Sequence, residues 1–168
     1  MPTRFDIERL GAGHDRSGFD CGSEPLNRYF TQQVTQDIRR RVAACFVALT
    51  SAGAIAGYYT LASASVPLAD LPPDTARKLP RYPSIPAVRM GRLAVDRQFK
   101  GQGLGAALLA DALTKALSSE IAAFALIVDA KDDAAATFYR HHGFIASSGD
   151  PRALFLPLAT AKKALPRA

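Results

Sequence analysis

Residues 92–106 of this chain read RLAVDRQFKGQGLGA, an apolar run followed by glycines at positions 101, 103 and 105. The apolar run predicts a strand, and the Ala- and Leu-rich sequence after the glycines predicts a helix. Residues without a Cβ let an anion approach the backbone closely, and the N–H groups at a helix N-terminus point toward such an anion. The helix dipole and Lys100 add attraction for negative charge. The segment therefore predicts a binding site for a pyrophosphate.

Two other phosphate-binding motifs can be compared with this turn. A P-loop needs Gly-Lys-Ser or Gly-Lys-Thr, which the chain lacks. The residues from Gly101 to Ala106 formally fit the dinucleotide fingerprint GxGxxA. In that fold, however, the first glycine directly follows the strand, whereas residues 96–100 intervene here, and Asp129 lies farther along than the usual ~20 positions. Both alternatives are disfavoured.

The rest of the chain alternates between strand-like and helix-like patterns. Strands are predicted at residues 3–10, 45–49, 54–61, 88–95, 123–128, 144–147 and 154–158. Helices are predicted from an N-cap at Ser23 through Arg39, and at residues 104–117 and 134–141. Six prolines between Val66 and Pro86 predict an ordered basic loop over 66–86, with one helical turn near Thr75–Leu79. These elements predict an α/β fold with a mixed sheet in one domain.

The composition is that of an ordinary globular protein, 48% apolar and 21% charged. No unbroken apolar stretch reaches the about 18 residues of a membrane span. Residues 1–10 lack the apolar core of a signal peptide. We therefore expect no membrane partner and a cytoplasmic location. Cys21 and Cys45 have no CxxC spacing and are expected to be reduced and buried.

The net charge of +6 is unevenly distributed. Only Asp96 opposes the basic residues of one window, which are Arg77, Lys78, Arg81, Arg89, Arg92, Arg97 and Lys100. A smaller cluster lies at Arg39–Arg41. The excess fits a solvated surface that keeps the protein soluble, or a binding surface for a polyanion such as coenzyme A phosphates or RNA. Composition leaves both interpretations open.

The glycine turn resembles motif A of the GNAT family of N-acetyltransferases, whose signature is Gln/Arg-x-x-Gly-x-Gly/Ala. Here it falls on residues 100–105, KGQGLG, with Lys100 in place of the usual Gln or Arg. The stretch from Val128 to Phe144, with FYRHHGF at 138–144, resembles the family's second cofactor segment. More narrowly, the chain resembles the GNAT toxins of bacterial toxin–antitoxin pairs in FDCG at 19–22, LN at 26–27, GYYTL at 57–61, RYP at 81–83 and GRLAVD at 91–96.

The resemblance implies a single GNAT domain over residues 1–168, with a mixed, mostly antiparallel central sheet flanked by helices. It implies acetyl-CoA as the cosubstrate, with no metal. The residues implied to bind acetyl-CoA are Leu93, Ala94, Val95, Lys100, Gly101, Gln102, Gly103, Leu104, Gly105 and Ala106.

Tyr139 matches the family's tyrosine before Gly-Phe, which implies that it protonates the departing thiolate as a general acid. A tyrosine of ordinary pKa, near 10, is protonated at neutral pH. The alternative is that Tyr139 only packs beside Phe138, although Phe138 is expected to be the core residue of the two. No general base is evident. His141 and His142 adjoin each other, so they cannot both face the site, and neither has metal-ligand spacing.

The toxin resemblance implies that the acceptor is the free α-amino group of aminoacyl-tRNA, whose acetylation blocks elongation. The residues expected to bind tRNA are Arg77, Lys78, Arg81, Arg89 and Arg92, with Arg39–Arg41 as a weaker second patch. Arg89 and Arg92 lie three positions apart on one strand and so point to opposite faces. At least one of them is expected to be paired within the protein.

The expected partners are aminoacyl-tRNA, a ribbon-helix-helix antitoxin and a second copy of the chain in a homodimer. Two other functions stay open. The acceptor could be a small polyamine, a drug amine or a protein N-terminus, although a basic mouth would repel cationic acceptors. The chain could also be a catalytically idle acyl-CoA-binding co-repressor, against which the retention of Tyr139 argues.

Overall fold

The computed structural model describes residues 4–165. The strands among them are β1 (Asp6–Arg9), β2 (Ala44–Leu49), β3 (Ile55–Pro67), β4 (Ser84–Val95), β5 (Ala125–Asp129), β6 (Ile145–Ser147) and β7 (Asp150–Pro157). The α-helices are α1 (Glu24–Arg28), α2 (Val34–Arg39), α3 (Pro73–Ala76), α4 (Leu104–Ser118), α5 (Asp133–His141) and α6 (Leu158–Ala164). A π-helical segment, Tyr29–Gln33, joins α1 to α2, and 3₁₀ turns lie at Leu68–Asp70 and Arg97–Phe99.

The strands pair in the order β1-β2-β3-β4-β5-β7-β6. Strands β4 and β5 pair in parallel, whereas β1–β2, β2–β3, β5–β7 and β6–β7 pair antiparallel. The prediction of a mixed, mostly antiparallel sheet flanked by helices is confirmed. The described residues divide into two compact units, the first comprising the chain up to Ala62 and Met90–Ala112, the second comprising Ser63–Arg89 and the chain from Leu113 onward.

The first unit is built on an aromatic cluster beneath the β2–β3 hairpin. The rings of Phe30 and Tyr58 stack with their centroids 4.2 Å apart, and Phe19 contacts both edge-on. The hydroxyl of Tyr58 donates to the carbonyl of Leu26 at 2.8 Å. Since Phe30 lies in the predicted helix 23–39 and Tyr58 in the predicted hairpin, the helix and the hairpin pack as one core.

The second unit is centred on β5, whose residues Ala125–Val128 are all buried. The parallel ladder pairs Ala87 with Ala125, Val88 with Leu126 and Arg89 with Ile127, and the antiparallel ladder to β7 pairs Ile127 with Phe155. A strand that pairs on both edges and is covered on both faces reads as a continuous apolar run, as the sequence predicts for 123–128. That prediction is confirmed within two residues.

The structure corrects the predicted loop 66–86. Strand β3 continues to Pro67 and β4 begins at Ser84, so the irregular segment covers only residues 68–83. Its helical turn is α3 at Pro73–Ala76, earlier than the predicted 75–79, because proline is tolerated in the first turn of a helix. Prolines at strand ends, where no ladder donor is needed, also allow the strands to extend into the proline-rich sequence.

Three further elements differ from the prediction. The helix from Ser23 to Arg39 forms, but it contains the π-helical segment, and the Ser23 side chain makes no capping hydrogen bond. Strand β7 begins at Asp150 because it forms a hairpin with β6, with Gly149 at φ 82° in the turn. Helix α6 was not predicted.

The sequence also predicts that the two cysteines are reduced and buried and that no segment spans a membrane. Cys21 and Cys45 are free and buried, as predicted, and burial raises the pKa of Cys45 to about 12. Among the helices of residues 4–165, none has the length and apolar character that a membrane crossing requires.

Candidate active site

The glycine turn leads from β4 into α4. Gly101 and Gly103 have φ of 80° and 78°, and nothing lies within 4 Å of where their Cβ atoms would be. Glycine is the residue that adopts these left-handed angles without steric strain. Leu104, 2% exposed, anchors the first turn of α4, and the first helical bond runs from the Ala107 N–H to the Gly103 carbonyl at 3.1 Å.

The backbone N–H groups of residues 104–106 precede that first helical bond and so have no acceptor within the helix. They lie at the positive end of the helix dipole, beside Gly101 and Gly103, which are exposed and carry no side chain. An open turn with several free N–H groups fits the pyrophosphate of coenzyme A. The predicted contact residues from Lys100 to Ala106 therefore belong to one continuous feature.

Lys100 at the start of this turn has a role that the sequence did not predict. Its Nζ donates to the carbonyl of Cys21 at 2.9 Å. The predicted attraction of Lys100 for an anion is thus joined by a structural contact that ties the glycine turn to the loop around residue 21.

That loop is itself held by hydrogen bonds. One carboxylate oxygen of Asp20 accepts from the Gly22 N–H and from Asn27 Nδ2, both at 2.9 Å. The Asn27 Oδ1 accepts from the Cys21 N–H at 2.9 Å. The hydrogen bonds from Asn27 and then Gly22 lower the pKa of Asp20. The motifs FDCG and LN therefore build a loop that supports the glycine turn.

Asp96, at the end of β4, is the second support and was not singled out from the sequence. It is 7% exposed, and its carboxylate accepts from the Asp20 N–H at 3.0 Å and from the Gln98 N–H at 2.9 Å. Its own N–H donates to the Ala56 carbonyl at 2.8 Å. A buried carboxylate with these donors is fully committed to holding the backbone. Asp96 therefore positions the chain between β4 and the glycines.

The predicted contact residues Leu93, Ala94 and Val95 form the end of β4, with Ala94 buried and its neighbours half-buried. At this point β3 approaches so closely that a Cβ on Gly57 would lie 2.8 Å from the Ala94 carbonyl oxygen and 2.9 Å from Leu108 Cδ1. Gly57 is thus required by packing. A glycine inside a strand-like run signals such an approach, so the sequence could have indicated it.

Tyr139 lies on α5 in the second unit. It is 7% exposed, whereas Phe138 is only half-buried, so the expectation that Phe138 is the core residue of the two was wrong. Within residues 4–165 its hydroxyl has no hydrogen-bond partner, and burial raises the pKa of the phenol. The hydroxyl therefore stays protonated at neutral pH and has its hydrogen available for an incoming acceptor.

The spacing of the FYRHHGF segment follows from how α5 ends. Gly143 has φ 93°, its N–H donates to the Arg140 carbonyl at 3.0 Å, and the Phe144 N–H donates to the Tyr139 carbonyl at 3.1 Å. This is the Schellman motif, in which a left-handed residue ends the helix and the next residue packs back on it. The Phe144 ring accordingly lies 5.3 Å from the Tyr139 ring.

The adjacent histidines belong to the same helix end. The ring of His142 packs against Phe138 at 4.7 Å and against His141 at 5.2 Å. Burial, followed by the charge of His141, lowers the pKa of His142. Among the described residues 4–165, no group of three His, Cys, Asp or Glu side chains could hold a metal ion.

The predicted tRNA-binding residues differ in how much of their charge is already neutralised. Arg77 forms an ion pair with Asp74, one turn earlier on the chain. Arg89 pairs with Asp129 on the adjacent strand, and the expectation that at least one of Arg89 and Arg92 is paired within the protein is confirmed. Lys78 and Arg81 are exposed and have no ion pair within the described part of the chain.

The charge of Arg92 contacts an aromatic ring. Its guanidinium lies 3.5 Å from the centroid of the Tyr29 ring, a cation–π contact. The Tyr29 hydroxyl donates to Asp37 Oδ2 at 2.8 Å. Burial raises the pKa of Tyr29, and its hydrogen bond to Asp37 raises it further. The structure thus places Arg92 in a packed cluster of the first unit, while Arg77, Lys78, Arg81 and Arg89 belong to the second.

A curated relative resembles this chain over most of its length. The tRNA-acetylating toxin of Mycobacterium tuberculosis is 34% identical over 156 residues, which cover 92% of this chain and 92% of the relative.

Two solved structures share the fold. AtaT complexed with acetyl-methionyl-tRNAfMet has a TM-score of 0.84 and 34% identity, covering 96% of this chain and 99% of AtaT. A tyrosine-to-phenylalanine mutant of AtaT, bound to the C-terminus of the antitoxin AtaR and acetyl-CoA, has a TM-score of 0.77 and 30% identity, covering 95% and 97% of the two chains.

The sequence model of the acetyltransferase (GNAT) domain family matches residues 19–154, a span that includes the supporting loop, the glycine turn and Tyr139. With the positive-φ glycines at the start of α4, this match shows that the chain belongs to the GNAT family of acetyltransferases.

Proposed function

We propose that this chain transfers the acetyl group of acetyl-CoA to the α-amino group of aminoacyl-tRNA and thereby acts as a toxin that blocks translation. The observation that carries the proposal is the open turn in which Gly101 and Gly103 precede the free N–H groups of α4. The acceptor is supported by similarity to the tRNA-acetylating toxin and to AtaT. Lys78 and Arg81, which are exposed and unpaired within the described residues 4–165, add a surface suited to phosphates.

Acetyl-CoA supplies the acetyl group as a thioester. The N–H groups of residues 104–106 bind the pyrophosphate, and the end of β4 at Leu93–Val95 offers backbone groups to the thioester and pantetheine. As the amine nitrogen bonds to the acetyl carbon and the carbon–sulfur bond breaks, the Tyr139 hydroxyl donates its proton to the sulfur. The nitrogen loses its own proton to water, and water returns a proton to Tyr139.

A strong base is not required for this acceptor. An α-amino group has a pKa near 7.7 to 8.0 in peptides, and esterification of the carboxyl lowers it. Much of the amine of a charged tRNA is therefore neutral at physiological pH. His141 and His142 have no part in this mechanism.

The proposed partners follow from the same similarity. AtaT is bound to the C-terminus of the antitoxin AtaR, which supports an antitoxin partner for this chain. The ribbon-helix-helix class of that antitoxin and a homodimeric state are proposed from the resemblance to the GNAT toxins. A basic surface attracts an acidic segment that folds on binding. Because charged tRNA is in the cytoplasm, the proposed activity places the enzyme there.

The decisive experiment incubates charged tRNA with acetyl-CoA and the purified chain, then cleaves the ester and measures the mass of the released amino acid. We expect N-acetyl-amino acid, and growth arrest when the wild-type chain is induced in bacteria. Polyamines and a peptide with a free N-terminus serve as competing acceptors in the same assay. Acetylation of those amines but not of charged tRNA, with normal growth on induction, would contradict the proposal.

A further inference from the structure

The end of α2 has an unusual residue at its left-handed position. The Arg41 N–H donates to the Ile38 carbonyl and the Val42 N–H donates to the Asp37 carbonyl, both at 3.0 Å. These bonds define a Schellman motif, and Arg41 has φ 61°. Among residues 4–165 it is the only residue other than glycine with a positive φ. Side chains with a Cβ are disfavoured in this region of backbone space.

Helix α5 ends in the same motif and provides an internal comparison. There the left-handed residue is Gly143, and Phe144, which follows it, is buried against Tyr139. At the end of α2 the left-handed residue is Arg41, and Val42, which follows it, is 57% exposed. Both positions of the α2 end depart from the residues that stabilise this motif. Helix termination alone therefore does not explain Arg41.

The charges at this helix end are not neutralised. Arg39, Arg40 and Arg41 are exposed, and in the part of the chain that the structure describes none of their side chains forms an ion pair or a hydrogen bond. The nearby acid, Asp37, already accepts from Tyr29 at 2.8 Å and from Gln33 at 3.1 Å. Its pKa is lowered by Gln33 and Tyr29, with smaller contributions from Arg92 and Arg40.

Other arginines of the chain contrast with these three. Arg77, Arg89 and Arg97 each pair with an aspartate, and Arg92 stacks on Tyr29. Cations near a helix C-terminus complement the helix dipole, but this effect falls off within one turn and does not require a strained residue. Three adjacent free guanidinium groups suit an anionic ligand, because each presents a planar fork that binds phosphate oxygens bidentately.

We propose that Arg39–Arg41 form a second phosphate-binding surface, which contacts the tRNA backbone in addition to the loop of residues 68–83. The inference rests on the proposed function, since it assigns part of the binding of that substrate. Contacts to phosphate set the position of an RNA and carry no sequence information. The surface therefore strengthens binding to tRNAs in general and leaves the choice among them to other residues.

Arg41→Gly provides a test that separates the RNA role from a structural role. Glycine relieves the left-handed strain, so the urea midpoint of unfolding should stay the same or rise. Binding of unfractionated tRNA should weaken, and the slope of log affinity against log salt should become shallower by about 0.7 to 0.9 for each phosphate that the variant no longer neutralises. The double variant Arg39→Gln, Arg40→Gln keeps the helix end unchanged and should show the same direction of change.

Arg28→Gln is the matched control, because it removes one positive charge from the same helical region, where Glu24 already offsets it at 3.8 Å. The proposed surface would be contradicted if the Arg41 and Arg39/Arg40 variants had the same salt slope as wild type and Arg28→Gln. Unchanged tRNA binding with weakened capture of an acidic antitoxin segment would also overturn it, in favour of a protein partner. Formation of N-acetyl-aminoacyl-tRNA by the wild-type chain is scored separately, so failure of the proposed function can be told from failure of this surface.

Discussion

Phe144 is joined to Tyr139 by two contacts: its N–H donates to the Tyr139 carbonyl at 3.1 Å, and its ring lies 5.3 Å from the Tyr139 ring. The left-handed turn at Gly143 makes both contacts possible. Together they hold the tyrosine at the end of α5, buried and with its hydroxyl free of partners within residues 4–165. A phenol held in this way is a proton donor at neutral pH, which is what the departing thiolate requires.

Tyr139→Phe should separate chemistry from binding. The ring contacts persist, and no hydrogen bond among the described residues is removed, so we expect little change in the urea midpoint or in acetyl-CoA affinity. Turnover should fall by about 10² to 10⁴-fold, the usual effect of losing a positioned proton donor. Isothermal calorimetry and a steady-state acetylation assay measure the two quantities.

Tyr58→Phe is the matched control for that variant. Its hydroxyl donates to the Leu26 carbonyl at 2.8 Å in the core of the first unit. Its removal should lower the free energy of unfolding by about 1 kcal/mol and leave turnover intact. Retained turnover in Tyr139→Phe would show that water or another group protonates the sulfur.

A carboxylate introduced into the glycine turn should abolish acetyl-CoA binding. Gly105→Glu places a carboxylate beside the N–H groups that are proposed to bind the pyrophosphate, and residue 105 is helical, so backbone strain is avoided. Gly103→Ala adds a Cβ at φ 78° and should cost about 1 to 2 kcal/mol of stability. Gly53→Ala is its control, since Gly53 has φ 85° and equally open surroundings. Near-native acetyl-CoA affinity in Gly105→Glu, measured by calorimetry, would refute the assignment of the turn.

Charge reversal in the loop of residues 68–83 tests the RNA surface. Lys78→Glu with Arg81→Glu should weaken tRNA binding and make its salt dependence shallower, because a protein that neutralises fewer phosphates releases fewer counterions. Arg77→Gln should have a smaller effect, since Asp74 already neutralises that arginine. Acetyl-CoA affinity should not change. If filter binding over a salt series gives the wild-type slope for the double variant, these charges serve only solvation.

Alkaline pH should destabilise the fold through its tyrosines. Burial raises the pKa of Tyr29, Tyr58, Tyr59 and Tyr139, so at pH above about 10 the unfolded chain loses these protons before the folded chain does. Their contribution to stability is complete below that pH and is lost as the pH rises toward the folded-state pKa values. For each of these tyrosines, the free energy of unfolding should fall by up to about 1.4 kcal/mol per pH unit in this range.

The comparison of wild type with Tyr139→Phe isolates one of these groups. Urea unfolding between pH 9 and about 11 should give a shallower loss of stability for the variant. Parallel curves would mean that the phenol of Tyr139 ionises equally in the folded and unfolded chains.

The sequence predicted those parts of the site whose backbone conformation is set by residues adjacent in the chain. The alternating glycines before an Ala- and Leu-rich run specify a turn with positive φ and a helix N-terminus, and both are found at Gly101, Gly103 and Leu104. The spacing from Tyr139 to Gly143 and Phe144 likewise specifies a helix end. Predicted and observed strands agree best where the apolar pattern is continuous, as in β5.

The sequence did not reveal which charged groups are already engaged. Arg89 pairs with Asp129, 40 residues away, and Lys100 donates to Cys21, 79 residues away. Arg92 stacks on the ring of Tyr29. Nothing in the neighbourhood of these residues indicates such partners, because ion pairs and cation–π contacts depend on distance in space.

Residue order alone was therefore sufficient for the family and for the conformation of the glycine turn, since the backbone there is set by glycine and by helix periodicity. Tertiary structure decided that Arg77 and Arg89 are neutralised, and that Asp96 and Lys100 support the glycine turn. It also decided that Arg39–Arg41 have no ion-pair partner among residues 4–165. It also decided that Tyr139 is the more deeply buried of the adjacent aromatic residues on α5. The physical reason is that charge pairing and burial arise only when the fold brings distant segments together.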